Sequence, residues 1–411
     1  MMGGADRPRV AVIGGGPGGA QCARRLAEAG CPVTIFEPRW RFEKACGGGV
    51  PARGMERFPF LHDTRLPRKE IRECLIVAPS GREARFPLAD PLVVFGRADL
   101  HALLLDRAIA SGARLERRRV ASFRRHSAGR DPGAHAAGAN GGRADEWILK
   151  TGETETGPFD YLVAADGAAG SARRRLLSKD APREEVTQGI GYYLAGVSED
   201  FMTLKFYDHL HGYLWVFPRP DHSSAGICAT LGAQPAAALK RLMDEFLGDR
   251  YSRDALDRKE SYAALIPGAP EDPRATPVQG DGWALVGDAA RFVDPLTREG
   301  IYYAMLSGDL LADALLGGRP ASYTEAWARR CAGELSWAAG HGDRFFDARF
   351  IERLVFLCSR SPAVSRVLSD LIAGKQSYRS LKRRLLFAAP RAGIELLAGS
   401  TRQTRSWQLK H

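Results

Sequence analysis

Early in the chain, the spacing of apolar positions changes twice. A continuous apolar run at 10–13 is followed by apolar residues at helical spacing, and a second short apolar run ends at residue 36. Short continuous runs are typical of strands buried on both faces, and the helical spacing between them is typical of a crossover helix. The pattern predicts a βαβ unit with a strand over 9–13, a helix over about 18–29 and a strand over 32–36.

Further along the chain both periods recur, and one stretch has neither. The predicted elements are short strands within 71–95, an amphipathic helix over 97–112, a strand over 161–167, aromatic-rich alternating strands within 188–231, a strand over 283–287, a helix near 300–317 and helical spacing from 320 to about 398. Residues 124–145 are rich in Gly, Ala and Arg without apolar periodicity, which predicts a loop.

These elements predict an α/β protein in which a Rossmann-type domain carries an inserted antiparallel-sheet substrate domain and is followed by a basic helical C-terminal region. We assign the parts of the chain as follows: the Rossmann-type domain to 1–70, 97–185 and 275–320, the antiparallel-sheet domain to 71–96 and 186–274, and the helical region to 321–411.

The composition is that of a globular protein with an uneven distribution of charge. No stretch approaches the ~18 uninterrupted apolar residues of a membrane span, and the chain starts without a signal-peptide pattern, so we expect a cytoplasmic protein. Of the net charge of +11, most lies in residues 341–411, which hold 14 Lys and Arg against 5 Asp and Glu. Such a surplus suits an anionic surface, and it is also typical of a solvated helical face.

The cysteines and histidines do not form a recognisable metal or disulfide pattern. Seven cysteines are scattered without a CxxC pair, and the nine histidines lack the spacing of metal ligands. This distribution indicates reduced thiols and argues against a disulfide framework, a zinc site or an iron–sulfur site. We therefore expect no metal ion in the functional site.

A glycine-rich turn joins the first predicted strand to the helix. Gly14, Gly16 and Gly19 form GxGxxG in this position, and Glu37 ends the next strand. Glycine allows the tight turn, lets backbone N–H groups approach a pyrophosphate and lets helix and strand pack closely. The context therefore predicts a dinucleotide site in which Glu37 accepts hydrogen bonds from a ribose, and we place Pro17 and Arg39 in the same site.

Later motifs resemble those of flavoproteins of the p-hydroxybenzoate hydroxylase superfamily. The stretch LVGDAARFVDPLTREGIYYA is similar to their second flavin motif, VAADGAAG to their Asp-Gly motif, and FGRADLHALLL to the segment whose arginine contacts the cofactor. The resemblance implies bound FAD, with its helix dipole directed at the flavin. It assigns these residues to the cofactor: Arg97, Asp166, Gly167, Gly287, Asp288, Pro295, Glu299, Gly300 and Ile301.

Three stretches resemble the geranylgeranyl reductases within that superfamily. KACGGGVP is similar to KPCGGGVP of that family, DPLTREGIYYA to DPLTGEGIYYA, and GYLWVFP to its YxWxFP motif. The resemblance implies that Cys46, Gly47 and Gly48 lie beside the flavin ring as catalytic residues and that Gly49 contacts the cofactor. It also implies that an isoprenoid channel is lined by Tyr213, Trp215, Phe217 and Pro218.

The chain departs from the family pattern at three of these positions. Ala45 replaces a proline, Arg298 replaces the first glycine of TGEG, and Cys228 occupies a position where the family has glycine. We expect Cys228 to change the shape of the channel, and Arg298 either adds positive charge near the flavin or faces solvent. Simpler interpretations are also open: Cys46 as a buried apolar side chain, and the alternating aromatic residues as plain sheet packing.

Two classes of reaction fit these motifs. The first is FAD-dependent reduction of carbon–carbon double bonds in an isoprenoid, a hydrophobic small molecule; the second is oxygen chemistry on an aromatic substrate by a monooxygenase or halogenase. A non-enzymatic flavin-binding module is a further alternative. The electron donor is NADPH or another reductant, which includes an electron-donor protein. We expect peripheral association with the inner face of the membrane and no nucleic-acid partner.

Overall fold

The computed structural model of the protein describes residues 7–62, 65–126, 145–178, 186–268 and 277–388. The strands of these ranges are β1 Val10–Ile13, β2 Val33–Phe36, β3 Gly49–Val50, β4 Arg68–Val77, β5 Glu83–Phe95, β6 Arg114–Glu116, β7 Ser122–His126, β8 Glu146–Thr151, β9 Thr154–Phe159, β10 Tyr161–Ala164, β11 Val186–Ala195, β12 Met202–Lys205, β13 Leu214–Pro218, β14 His222–Thr230, β15 Glu260–Pro267, β16 Gln279–Gly280 and β17 Trp283–Leu285.

The helices of the same ranges are α1 Pro17–Glu28, α2 Ala52–Arg57, α3 Arg97–Ala110, α4 Ala172–Leu177, α5 Ala236–Gly248, α6 Arg253–Asp257, α7 Ile301–Leu316, α8 Ser322–Trp327, α9 Gly333–Ala339, α10 Gly342–Phe345, α11 Ala348–Cys358 and α12 Pro362–Ile372. Residues 378–388 are also helical. Most of the predicted loop, 127–144, and the end of the predicted helical region, 389–411, lie outside the described residues.

A six-stranded sheet contains the predicted βαβ unit. Its strand order is β16-β17-β10-β1-β2-β6, and β1, the apolar VAVI run, pairs in parallel with both β10 and β2. All four residues of β1 are buried, because α1, α3 and α7 cover one face of the sheet and side chains of β8 and β9 pack on the other. The parallel arrangement brings the carboxyl ends of four strands, β1, β2, β10 and β17, to the same edge.

A second sheet has eight strands in the order β15-β11-β14-β13-β12-β4-β5-β3. It is antiparallel except where β12 pairs in parallel with β4. Leu214 and Val216 of β13 point to one face, where they pack against α5. Because side chains alternate along a strand, Trp215 and Phe217 point to the other face.

The C-terminal helices cover that other face. Helices α11 and α12 pack against β5, and Ile351, Val355 and Leu368 share a core cluster with Ile71 and Val94 of the sheet. The apolar spacing that predicts helices after residue 320 therefore also supplies one wall over the sheet. The predicted fold class is confirmed by the parallel sheet, the antiparallel sheet and these helices.

The predicted domain boundaries stay a prediction. Strand β3 joins the eight-stranded sheet although residues 49–50 fall within the stretch assigned to the Rossmann-type domain. None of the helices in the described ranges has the length and hydrophobicity that a membrane span requires.

Candidate active site

The loops at the carboxyl edge of the parallel sheet form a cradle. Gly14 follows β1, Glu37 follows β2, Asp166 follows β10 and Asp288 follows β17. All four line one cavity of about 770 Å³. Ligands of open parallel sheets bind at such an edge, where the strand order reverses.

The glycines of the cradle serve two different purposes. Gly14 has a φ of +102°, and a Cβ there would lie 2.4 Å from the carbonyl oxygen of Ala165; a Cβ on Gly19 would lie 2.1 Å from the carbonyl oxygen of Gly14. The fold itself therefore requires these two glycines. A Cβ on Gly16 would meet no protein atom within 4 Å, and Gly16 lines the cavity at the N-terminus of α1. Its open space fits a pyrophosphate approaching the helix N-terminus.

The carboxylate of Glu37 is held in place by backbone N–H groups. It accepts hydrogen bonds from the N–H of Gly15 at 2.9 Å and of Arg39 at 3.0 Å, and the residue is buried. These contacts tie the glycine turn to the end of β2. The carboxylate also lines the cavity, so its remaining acceptor capacity is available to a ribose hydroxyl.

Several buried polar atoms of the cradle lack a partner within the described part of the chain. They are Oδ1 of Asp166, Nε of Arg97 and Oε1 of Glu299. Burial raises the pKa of the Asp166 carboxyl, and the N–H of Ala172 opposes this shift. Burial likewise raises the pKa of Glu299, against the effect of Arg53, with which it forms an ion pair. Since buried polar groups are normally paired, these atoms together with the open space at Gly16 fit a polar ligand such as FAD.

The glycine run after Cys46 is required by neighbouring protein groups. A Cβ on Gly47 would lie 2.4 Å from the ring of Phe217. Gly48 has a φ of +83°, and a Cβ there would lie 2.4 Å from the carbonyl oxygen of Phe95. The run thus lets the backbone pass directly over the phenyl ring, which lines the cavity.

The thiol of Cys46 is in contact with a cation. Nη1 of Arg97 donates a hydrogen bond to Sγ at 2.9 Å, and only 6% of Arg97 is exposed. Burial alone lowers the pKa of this guanidinium, but Cys46 and Glu43 outweigh it and the net pKa is raised. Cys46 is half-buried, whereas the other six cysteines are fully buried. Its position therefore differs from that of a cysteine that only fills a core.

A polar network next to the glycine run fixes the Cys46 backbone. The buried Arg219 donates to the carbonyl oxygen of Cys46 at 3.1 Å and to Glu43 at 2.8 Å. The hydroxyl of Ser224 donates to the same carbonyl oxygen at 3.0 Å and lies 2.9 Å from the hydroxyl of Tyr262. Glu43 also accepts from the N–H of Ala98 at the start of α3. The segment before the glycine run is thus held to both sheet and helix.

Beyond the glycine run the cavity becomes apolar. One wall is the face of the eight-stranded sheet, and the opposite wall is formed by the C-terminal helices. The apolar lining includes Ile76, Leu92, Met202, Leu204, Phe206, Tyr213, Trp215, Phe217, Phe345, Ile351, Leu354, Val355, Leu368, Leu371 and Ile372. The indole of Trp215 lies on Gly226, where a Cβ would come within 2.3 Å of the ring.

The structure brings most of the predicted site residues to this cavity. Of the residues predicted from the sequence, Pro218 and Pro295 do not line it, and the others do. Cys228 is fully buried in β14 and lies behind the lining, so it does not narrow the channel directly. Its neighbour Arg298 does line the cavity.

Sequence reasoning missed several lining residues. His101, Lys44 and Arg53 lie in the cradle, and Lys44 and Arg53 form ion pairs with Asp288 and Glu299. Their positions next to recognised motifs were a usable signal. The apolar residues of α11 and α12 gave no such signal, because core-facing and cavity-facing positions have the same helical spacing.

Comparisons with known proteins agree with this geometry. Residues 8–185 match the model of the pyridine nucleotide-disulphide oxidoreductase family. The chain is 29% identical to the chloroplastic geranylgeranyl diphosphate reductase of Oryza sativa subsp. japonica over 341 residues, which cover 76% of this chain and 67% of the rice protein. This chain is an FAD-dependent oxidoreductase that is similar in sequence to geranylgeranyl reductases. The predicted relationship and the predicted FAD cofactor are confirmed.

Solved structures confirm the fold of this flavoprotein. A geranylgeranyl bacteriochlorophyll reductase-like protein from Thermoplasma acidophilum superposes with a TM-score of 0.71 at 19% identity, covering 92% of this chain and 98% of that one. The flavin-dependent brominase Bmp2 superposes with a TM-score of 0.65 at 18% identity, covering 96% and 100% of the two chains. Reductases and halogenases thus share the fold, and the choice between them depends on the cavity and on sequence similarity.

Proposed function

We propose that this flavoprotein reduces carbon–carbon double bonds of an isoprenoid substrate. The observation that carries the proposal is the continuity of the cavity. The segment Cys46–Gly49 forms its wall between the cradle and the apolar part, so an alkene in the apolar part lies next to the cofactor site. The similarity in sequence to geranylgeranyl diphosphate reductase supports the same substrate class.

The cradle would hold FAD through backbone and carboxylate groups. The open N-terminus of α1 at Gly16 would receive the pyrophosphate, Glu37 the adenosine ribose, and Asp288 the ribityl chain. When bound and reduced, FAD supplies a hydride to one carbon of the double bond.

The apolar walls exclude water and orient the chain of the substrate. Trp215 and Phe217 lie on one side, and Leu354 and Leu368 of the C-terminal helices lie on the other. When a flexible polyprenyl chain enters such a cavity, its hydrophobic surface is removed from contact with water. The two walls restrict the chain to an extended path past Cys46. Positioning of this kind can supply much of a rate enhancement.

The second carbon of the bond requires a proton, and Cys46 is placed to provide it. Its S–H bond would break as the new C–H bond forms, leaving a thiolate. The guanidinium of Arg97, 2.9 Å from Sγ, stabilises that thiolate. Solvent then returns the proton to sulfur, so that each reduced bond takes up one hydride and one proton.

Product identification tests the proposal. The holoenzyme, kept chemically reduced and free of oxygen, is offered a panel of polyprenyl alkenes and aromatic compounds, and products are identified by mass. We expect polyprenyl products heavier by two hydrogen atoms per reduced bond. Hydroxylated or halogenated aromatic products, formed only after oxygen is admitted, would instead support the monooxygenase or halogenase alternative. The panel uses a chemical reductant so that the result does not depend on which electron donor the protein uses.

We further propose peripheral contact with anionic lipid through the helix at 378–388. Leu386 and Phe387 are 63% and 77% exposed, and Lys382 and Arg383 on the same helix are exposed as well. Each basic residue near an anionic surface contributes about 1 kcal/mol. Sedimentation with anionic vesicles at low salt should exceed that with neutral vesicles, and Leu386→Gln with Phe387→Gln should reduce it. Equal sedimentation with both vesicle types would refute an electrostatic contact.

A further inference from the structure

Arg298 has an unusual backbone conformation at the wall of the cavity. Its φ is +59°, in the left-handed region, where a side chain costs about 1–2 kcal/mol relative to glycine. It lies three residues before the first residue of α7, and it lines the cavity. Strain of this kind persists where the surrounding structure or a function requires it. The sequence family described above has glycine at this position, so the side chain is a property of this chain.

The guanidinium of Arg298 is directed at the sheet wall. It lies against the thiol of Cys228, where burial raises the thiol pKa and the guanidinium opposes that shift. It also opposes the raised pKa of Tyr213, whose hydroxyl donates to the carbonyl oxygen of Thr297. The two residues at which this chain replaces a family glycine with a side chain are thus in contact. They place a cation beside Tyr213 of the aromatic lining.

This cation has no carboxylate partner within the described part of the chain. The carboxylates nearest along the sequence are committed elsewhere: Asp294 accepts from the hydroxyl of Tyr378 and from backbone N–H groups, and Glu299 pairs with Arg53. The Nε of Arg298 is buried and has no hydrogen-bond partner among the described residues. Lys44, in contrast, pairs with Asp288. A partly buried cation in an apolar wall is costly unless an anion neutralises it.

We propose that Arg298 forms an anion subsite in the apolar part of the cavity and selects an isoprenoid that carries a phosphate or a carboxylate. The planar guanidinium binds either group in a bidentate manner. The inference rests on the proposed function, since it concerns the same substrate cavity. It predicts that the substrate carries an anionic group, which the aromatic lining alone would not specify.

Equilibrium binding to the oxidised holoenzyme tests the subsite without turnover. Calorimetric titrations compare farnesol with farnesyl monophosphate and farnesoic acid, which share one chain and differ in the end group. We expect one or both acids to bind at least ~10-fold tighter than the alcohol, as a charge-assisted hydrogen bond would require. Arg298→Gly should remove the difference, and Arg298→Gln should remove most of it. Glycine is unstrained at this φ, so the first variant should fold.

Arg41→Gly is the matched control. Arg41 also has a positive φ, of +56°, and its exposed side chain pairs with Asp99 outside the cavity lining. This variant relieves the same strain and removes the same charge, so it should keep the preference for the acids. The subsite is refuted if the wild type lacks the preference or if Arg298→Gly retains it.

A flavin role for Arg298 would give a different result. A shift in the flavin midpoint potential in Arg298→Gly, with the ligand preference unchanged, would place the guanidinium at the cofactor and overturn the subsite. The proposed function fails separately: acids that bind with the expected preference while no polyprenyl alkene is reduced would refute the reductase and leave the subsite standing. Reduction of polyprenyl alkenes without any preference for binding the acids would support the reductase and refute the subsite.

Discussion

The cradle and the apolar part of the cavity are built in opposite ways. In the cradle, backbone groups at the ends of four adjacent strands face the cavity, and short motifs such as Gly14–Gly19 are sufficient to specify it. In the apolar part, side chains from two sheet segments and from helices α11 and α12 meet across the cavity, although they are far apart in the chain. The difference teaches that cofactor binding is encoded locally, whereas substrate choice is encoded by tertiary packing.

The largest predicted effect is that of Gly16→Val, which should abolish cofactor binding in the cradle. The structure shows open space at this position, so the side chain should fit the protein and block the pyrophosphate. We expect the purified variant to fold and to lose almost all flavin absorbance. Gly248→Val is the control, because a Cβ at Gly248 also meets no protein atom within 4 Å but Gly248 does not line the cavity. Full flavin content in Gly16→Val would contradict the assigned cradle.

Cys46→Ser examines the boundary between the two regions. Serine nearly preserves the volume, but its hydroxyl is a much weaker acid than a thiol, so proton transfer should be slower by about 10²-fold. Flavin content should not change. The measurement is the rate at which a polyprenyl alkene reoxidises the reduced enzyme without oxygen. Cys31→Ser, at a buried position that does not line the cavity, should leave this rate at the wild-type value. An unchanged rate in Cys46→Ser would remove Cys46 from the chemistry.

Trp215→Ala tests the apolar wall alone. Loss of the indole should slow reduction of polyprenyl substrate by ~10-fold, chiefly through weaker binding, while FAD content stays normal. Removal of a buried tryptophan also costs about 3–5 kcal/mol of stability. Trp147→Ala therefore serves as the control: Trp147 is equally buried, but it does not line the cavity. If both variants slow reduction equally, the effect comes from stability and not from the wall.

The smallest effect concerns His101 in the cradle. Burial lowers its pKa, against the effect of Glu37, and its Nδ1 accepts a hydrogen bond from the N–H of Phe42, which requires the neutral ring. Arg97 and Arg39 also disfavour the charged form. A histidine whose pKa is lower in the folded than in the unfolded protein makes the free energy of unfolding fall as the pH drops below the unfolded pKa of ~6.5. The loss is at most about 1.4 kcal/mol per pH unit.

Thermal unfolding between pH 7 and pH 5 measures the contribution of His101 to the pH dependence of stability. His101→Gln, whose side-chain oxygen can accept the same hydrogen bond, should lose less stability on acidification than the wild type. His209→Gln is the control, because His209 is exposed, contacts Asp208 and does not line the cavity. Identical pH profiles for wild type and His101→Gln would exclude a contribution from His101.

The same contrast explains what the sequence could predict. The parallel strands, the glycine turn and Glu37 follow from local spacing, because each is determined by neighbours along the chain. The close approach of the Phe217 ring, which requires glycine at position 47, could not be predicted, since it depends on how the glycine run crosses β13. The sequence predicts that these glycines lie beside a ligand, and the structure adds that Phe217 also requires the absence of a side chain at Gly47.

The opposite wall shows a second limit of sequence reasoning. Leu354 and Leu368 have the helical spacing of ordinary core residues, and only the docking of α11 and α12 onto β5 brings them to the cavity. The contact of Arg298 with Cys228 was likewise out of reach, because the two residues belong to different elements. Residues that act through tertiary contacts carry no local signal of their role.

The most direct test of the account is oxygen-free reoxidation of the flavin. Holoenzyme is photoreduced in a sealed cell, and a polyprenyl alkene is added while the flavin absorbance is recorded. The account predicts that absorbance returns in proportion to the bonds reduced, and that the product gains two hydrogen atoms for each bond and no oxygen. A flavin that stays reduced with every alkene and is reoxidised only when oxygen enters would contradict the reductase.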